Sequence, residues 1–191
     1  MEIRSFLAFE LPPEIKRIVA EVSVGFKRSN LDVRWVKTEN IHLTVVFLGQ
    51  IEQDHLEAME MEIQKACIKY GHFEMSLKGT GCFPNKRNPR VLWIGLHGDL
   101  VRMGYFRDAL QDALSPFGVK GEKRSFRPHL TLGRFRTPDK RYSILDDLLS
   151  RHEDLSSPVF QLNELILFRS DLKPGGAEYS KLKSWTLSGK D

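Results

Sequence analysis

Cysteine is scarce in this chain: there are two among 191 residues, Cys67 and Cys82, with no C-x-x-C spacing. A disulfide framework or zinc cluster is thereby excluded as the organising element, and both residues read as reduced thiols. No apolar run reaches the roughly 18–20 residues that a membrane helix needs. The N-terminal stretch meets Glu10 and then Pro12-Pro13 too early to hold a signal-peptide core. A cytoplasmic chain with no membrane partner is expected. The sequence has no G-x-x-x-x-G-K-[ST] phosphate loop, and Gly79-x-Gly81 lacks the third glycine of a dinucleotide fingerprint. It also lacks the K-x-D-G of ligases that form a lysyl-nucleotide, and the H-E-x-x-H of zinc hydrolases. No cofactor and no metal are expected.

Hydrophobic residues at 41% and charged residues at 28% match a soluble globular protein, and the length fits one domain, 1–191. The net charge of +4 says little, but its distribution says more. Residues 120–141 hold eight basic side chains against Glu122 and Asp139, a local net of +6, and Lys86, Arg87 and Arg90 form a second basic cluster. Such concentrations favour phosphate-bearing partners, although a merely solvated basic surface has the same composition.

Periodicity predicts a strand over Ile3–Phe9, then a helix opened by Pro12-Pro13 with Ile15, Ile18, Val19, Val22 and Phe26 inward. Strands are expected at Val33–Val36 and Ile41–Leu48, a helix over about Asp54–Lys69, and a strand through Phe73, Met75 and Leu77. A Gly79–Pro89 loop and a fully buried strand, Val91–Leu96, follow. The second half reads as a helix at about Leu100–Leu114, a strand at Phe126–Phe135, and a helix begun by Thr137-Pro138-Asp139 and buried through Ile144, Leu145, Leu148 and Leu149. Strands at Val159–Phe168 and Tyr179–Leu187 flank the turn Pro174-Gly175-Gly176. Trp35 and Trp93 are assigned to core packing. The two halves, about 1–97 and 98–191, repeat one theme, which points to a duplicated α+β arrangement of two facing lobes.

The chemistry is concentrated in His42-Leu43-Thr44-Val45 and His129-Leu130-Thr131-Leu132, one in each half. With six histidines and six threonines, chance predicts about 0.2 H-x-T pairs, so two in equivalent strands demand an explanation. Residues i and i+2 of a strand share a face, so each His and Thr point one way while their aliphatic neighbours enter the core. Two imidazoles converging on one space can act as neutral base and protonated acid near neutral pH. Threonine hydroxyls can donate to phosphate oxygens without adding charge. His55, His72, His97 and His152 have no such context.

Flanking blocks extend the pattern: Arg4-Ser5-Phe6-Leu7-Ala8-Phe9-Glu10-Leu11-Pro12, Arg34-Trp35-Val36, Glu39-Asn40-Ile41, Phe47-Leu48-Gly49, Phe83-Pro84, and Pro89-Arg90-Val91-Leu92-Trp93-Ile94-Gly95. They continue in Phe126-Arg127-Pro128, Gly133-Arg134, Leu167-Phe168-Arg169-Ser170 and Pro174-Gly175-Gly176-Ala177-Glu178-Tyr179. Over nearly its whole length the chain resembles the two-histidine phosphoesterase superfamily, in particular the RNA 2′,3′-cyclic phosphodiesterases also called 2′-5′ RNA ligases. That resemblance implies a bilobal α+β fold: two pseudo-symmetric lobes, each with a largely antiparallel sheet and helices, and the active cleft between them. It implies metal-independent opening of a 2′,3′-cyclic phosphate to a 2′-phosphomonoester, with reversible ATP-independent 2′-5′ ligation as the related reaction. The expected partners are RNA or nucleotides with such ends, tRNA fragments among the candidates, and the expected state is a monomer.

Within this reading His129 deprotonates the attacking water and His42 protonates the departing ribose oxygen, while Thr44 and Thr131 bind the phosphate oxygens. The resemblance puts a phosphate- or base-contacting arginine at Arg134. Strict alternation would turn that residue away from His129, so it can serve only if the strand bulges or ends near Gly133. Arg127 is a second candidate anion ligand. Phe83 is a candidate for stacking a base, with a hydrophobic plug as the alternative. The rival from another class is an RNA- or nucleotide-binding module of the same fold without turnover. A phosphodiesterase dedicated to tRNA-splicing intermediates or ADP-ribose cyclic phosphates is a second enzymatic alternative.

Overall fold

The computed structural model describes all residues except 123, 137–141, 175 and 190–191, with the backbone only at Tyr142. Among the described residues nine strands and four helices follow in the order β1 (Glu2–Glu10), α1 (Pro13–Lys27), β2 (Val33–Trp35), β3 (His42–Glu52), α2 (Leu56–Cys67), β4 (Phe73–Phe83) and β5 (Val91–Gly98). After these come α3 (Leu100–Leu114), β6 (His129–Phe135), α4 (Tyr142–Arg151), β7 (Phe160–Leu162), β8 (Glu164–Lys173) and β9 (Gly176–Thr186).

The strands form two antiparallel sheets, one ordered β3-β1-β8-β9 and the other β2-β6-β5-β4-β7. This is the expected α+β class. The two motif-bearing halves interleave in space, however, because each sheet takes strands from both sides of residue 97. Helix α1 begins at Pro13, whose fixed φ and missing N–H suit a first helical position, and it buries Ile15, Val19, Val22 and Phe26 at helical spacing. Helices α2 and α3 pack on each other, with α2 also against β9 and α3 against β3, while α4 contacts β4. In β1, Leu7 and Phe9 enter the main core, whereas Phe6 and Ala8 on the other face join Ile166 and Phe168 in a second cluster.

Several expectations change. The segment read as one strand, Val159–Phe168, breaks at Asn163. Phe160–Leu162 pairs with β4 in one sheet and Glu164–Lys173 continues along β1 in the other, so the chain changes sheets within a single residue. Strand β4 runs on to Phe83 instead of yielding to a loop at Gly79. Gly79 takes φ +61, which a glycine adopts freely, and its N–H bonds to the Leu155 carbonyl while the pairing with β5 slips. The expected loop is shortened to residues 84–90, and Phe83 becomes a strand residue. Strand β5 is not buried on both faces: Leu92, Ile94 and Leu96 are buried while Val91, Trp93 and Gly95 are half-buried. The strand expected from Phe126 starts only at His129, because Pro128 has no N–H to give to a ladder. The start of the helix at Thr137-Pro138-Asp139 and Gly175 of the Pro174-Gly175-Gly176 turn lie outside the described residues. Ile144 is 37% exposed, so α4 is buried through Leu145, Leu148 and Leu149.

A bulge in β6 sets the direction of its C-terminal half. Trp93 pairs with Thr131 but Leu92 pairs with Gly133, so Leu132 is an extra residue and the alternation of faces resets after it. Gly133 is also tightly enclosed: a Cβ there would stand 2.4 Å from Val33 Cγ1 and 3.1 Å from the Arg34 carbonyl oxygen. Gly133→Ala should therefore lower the unfolding free energy by about 1–3 kcal/mol in denaturant titration, the usual cost of overpacking.

Candidate active site

The motif strands β3 and β6 belong to different sheets and approach one another. Their first four residues have the same alternation of exposure. His42 and Thr44, like His129 and Thr131, are half-buried, while Leu43, Val45, Leu130 and Leu132 are buried in the core. In both strands the aliphatic residues anchor the backbone and leave the polar pair on the opposite face. Neither threonine hydroxyl is hydrogen-bonded among the described residues, so both remain available as donors.

The two histidines are oriented by the same device. Nδ1 of His42 lies 2.7 Å from the carbonyl oxygen of Asn40, and Nδ1 of His129 lies 2.7 Å from that of Arg127. In each case the partner is two residues upstream, and a carbonyl can only accept, so Nδ1 carries the proton. Nε2 is then a base when the ring is neutral and an acid when it is protonated. Asn40 closes a 3₁₀ turn, Thr38–Asn40, before His42, whereas Arg127 precedes Pro128 before His129.

Aromatic side chains pack each ring. His42 stacks on Phe6 at 4.6 Å between centroids and meets the edge of Tyr179 at 5.2 Å, with Phe168 at 6.0 Å. His129 meets Phe83 edge-on at 5.0 Å, and Phe83 in turn packs on Trp93 at 5.1 Å. Burial pushes the His42 imidazole down to about 4, opposed by the Asn40 carbonyl and the Glu10 carboxylate. Burial also lowers His129; the Arg127 carbonyl opposes this shift and the charge of Arg134 adds to it. In the free protein both rings are therefore neutral at pH 7.

Beside His42 lies a cavity of about 100 Å³ lined by Glu10, Asn40, Phe168, Tyr179 and Lys181, among others. Glu10 is the register partner of His42 on β1, and its carboxylate is held by Lys181 at 2.7 Å. Arg134, returned by the bulge to the face of His129, lies close enough for its charge to act on that ring. The side chain of Arg127 is exposed, and its contribution here is the carbonyl that orients His129. Phe83 packs against His129 and Trp93.

Sequence reasoning did not single out Phe6, Glu10, Phe47, Phe168, Tyr179 or Lys181. Phe47 is 61% exposed on β3 and lies 6.2 Å from Phe6. Phe6 and Phe168 stood in the blocks that carry the family resemblance but without a role of their own, since the second apolar face of their sheet has no signature in a continuous hydrophobic run. Trp93 is a correction to the core assignment. It lies across Gly81, where a Cβ would stand 2.3 Å from the indole, and it is the register partner of Thr131. Trp35 does pack against the core.

The profile of the 2′-5′ RNA ligase superfamily matches residues 11–174. The chain belongs to that superfamily. RNA 2′,3′-cyclic phosphodiesterases of Methanocaldococcus jannaschii and Methanothermobacter thermautotrophicus are 33% and 31% identical to it, over 96% and 98% of this chain and 100% of each relative. Among solved structures, TT0787 of Thermus thermophilus aligns with a TM-score of 0.82 at 24% identity, covering 99% of this chain and 100% of that one. E. coli LigT complexed with 3′-AMP aligns at 0.73 and 22%, covering 98% and 99%. At these identities the two structures establish that this member of the 2′-5′ RNA ligase superfamily shares their fold.

Burial of His42 also couples the site to stability. Its proton affinity is lowered on folding from the ordinary 6.5 to about 4, so between these values the unfolded chain binds more protons than the folded one. Stability from this group is complete above pH 6.5 and is lost as the pH falls toward 4, an effect of about 3 kcal/mol in all. Melting temperature followed from pH 7 to pH 4 should fall more steeply for the wild type than for His42→Gln.

Proposed function

We propose that this chain hydrolyses the 2′,3′-cyclic phosphate ends of RNA or nucleotides to 2′-phosphomonoesters, without a metal ion. The observation that carries the reading is the duplicated histidine geometry: two imidazoles, each with Nδ1–H donated to the carbonyl two residues upstream and Nε2 left for chemistry. The names of the relatives, RNA 2′,3′-cyclic phosphodiesterases matched along almost the full chain, support the same reaction.

In this mechanism His129 takes a proton from water, whose oxygen attacks phosphorus. The bond from phosphorus to the ribose 3′-oxygen breaks, and that oxygen receives a proton from His42. Burial is the largest influence on both rings, but of the charges beside them Glu10 favours imidazolium at His42 whereas Arg134 disfavours it at His129, which supports this division of labour. Thr44 and Thr131 donate to the non-bridging oxygens. The phosphate supplies the negative charge that raises the affinity of His42 for its proton when substrate binds. With a ribose 5′-hydroxyl in place of water as the nucleophile, the same forward steps form a 2′-5′ bond as the bond to the 3′-oxygen breaks, the energy coming from the strained cyclic phosphate. The candidate substrates include tRNA fragments, and the protein is proposed to act as a cytoplasmic monomer.

His42→Ala and His129→Ala should each lower turnover of 2′,3′-cyclic AMP by at least about 10²-fold, the lower range for general acid–base catalysis. Saturable binding of that nucleotide by the wild type with no 2′-AMP formed would favour the binding module instead. The wild-type rate should be unchanged in EDTA, and restoration of a lost rate by a divalent cation would defeat the metal-free scheme. Because burial lowers both free histidines, the basic limb of kcat/KM against pH should lie below 6.5.

A further inference from the structure

Arg34 and Arg134 are register partners on the adjacent strands β2 and β6. Arg34 sits between Val33 and Trp35, both turned to the core, so it faces the opposite way, as His129 and Thr131 do. The β6 bulge sends Arg134 to that same face. Two like charges directly opposite on neighbouring strands are destabilising. Two residues further along, the same pair of segments brings Asp32 and Arg136 together as opposite charges, 3.7 Å apart. Among the described residues neither Arg34 nor Arg134 has a carboxylate partner. The pairing rule is thus met at one point of the ladder and broken at the next.

The other end of Arg34 shows where the pair lies. Its Nη2 reaches to 3.8 Å from the position of a Cβ on Gly176, at the start of β9 in the other sheet. That same hairpin accepts a hydrogen bond from Asn40 Nδ2 at Ala177 and presses Tyr179 against His42. The two guanidinium groups therefore lie beside the catalytic face, linked on one side to His129 and on the other, through the hairpin, to His42.

We propose that Arg34 and Arg134 together bind the phosphodiester that precedes the cyclic phosphate in an RNA chain. The proposal rests on the hydrolase reading above and adds the substrate class, polynucleotide over mononucleotide. The planar guanidinium fork matches phosphate oxygens in two-point contact, and an anion between two such forks removes the repulsion that the empty pair carries. A cyclic mononucleotide has only one phosphate, which the histidines and threonines engage, so the second anion comes from the neighbouring residue of the chain.

The test compares kcat/KM for a dinucleotide ending in a 2′,3′-cyclic phosphate with that for 2′,3′-cyclic AMP, in the wild type and in Arg34→Gln. The wild type should prefer the dinucleotide, and the variant should lower the dinucleotide-to-mononucleotide ratio by about tenfold, as loss of a charged hydrogen-bonding partner predicts. The salt dependence of dinucleotide kcat/KM should lose about one unit of slope. A ratio unchanged in Arg34→Gln, an equal loss on both substrates, or no preference in the wild type would each overturn the subsite, while turnover of cyclic AMP shows the hydrolase reading intact. Absence of turnover on both substrates in the wild type would overturn that reading and the subsite with it.

Discussion

A hydrogen bond from an imidazole to the backbone two residues upstream governs this site, and it is made twice. It selects one tautomer, fixes the plane of each ring and leaves Nε2 as the single nitrogen able to exchange a proton with substrate. Before His42 a 3₁₀ turn spans Thr38–Asn40, and before His129 stands Pro128, which has no N–H to give to a ladder. The core contributes by locking the intervening residues. Leu43 and Leu130 are fully buried, so neither strand can rotate its histidine away without exposing apolar surface.

Around this shared device the surroundings differ. His42 is enclosed by Phe6, Phe168 and Tyr179 and lies opposite a carboxylate clamped by a lysine. His129 has a single phenylalanine edge and a guanidinium for company. Desolvation is the largest influence on both rings, and the charges beside them pull in opposite directions.

The connectivity gives the two sheets little freedom to separate. The chain passes from β7 to β8 through Asn163 alone, moving from one sheet into the other. The β8–β9 hairpin touches the turn that precedes His42 and also reaches Arg34 of the opposite sheet. The proposed catalytic pair, split between two sheets, would need such ties, because an error of an ångström between acid and base is costly in rate.

Much of this protein was legible from local pattern. The H-x-T spacing told which side chains share a face, because strand alternation is a local property. The α1 and α3 boundaries followed from proline placement and helical spacing, also local. The family resemblance added the pairing of the two motifs. What the tertiary structure decided depends on residues distant in sequence. These include the division of a continuous apolar run between two sheets, the extension of β4 past Gly79, and the aromatic wall assembled from β1, β8 and β9. Arg134 shows the boundary most clearly. Its face could not be assigned from alternation alone, since one extra residue, Leu132, reverses the outcome, and only pairing with β5 reveals it. Local pattern alone nominated the groups proposed to carry the chemistry; long-range strand register decided which of them share a face, because register is set by partners that no local window contains.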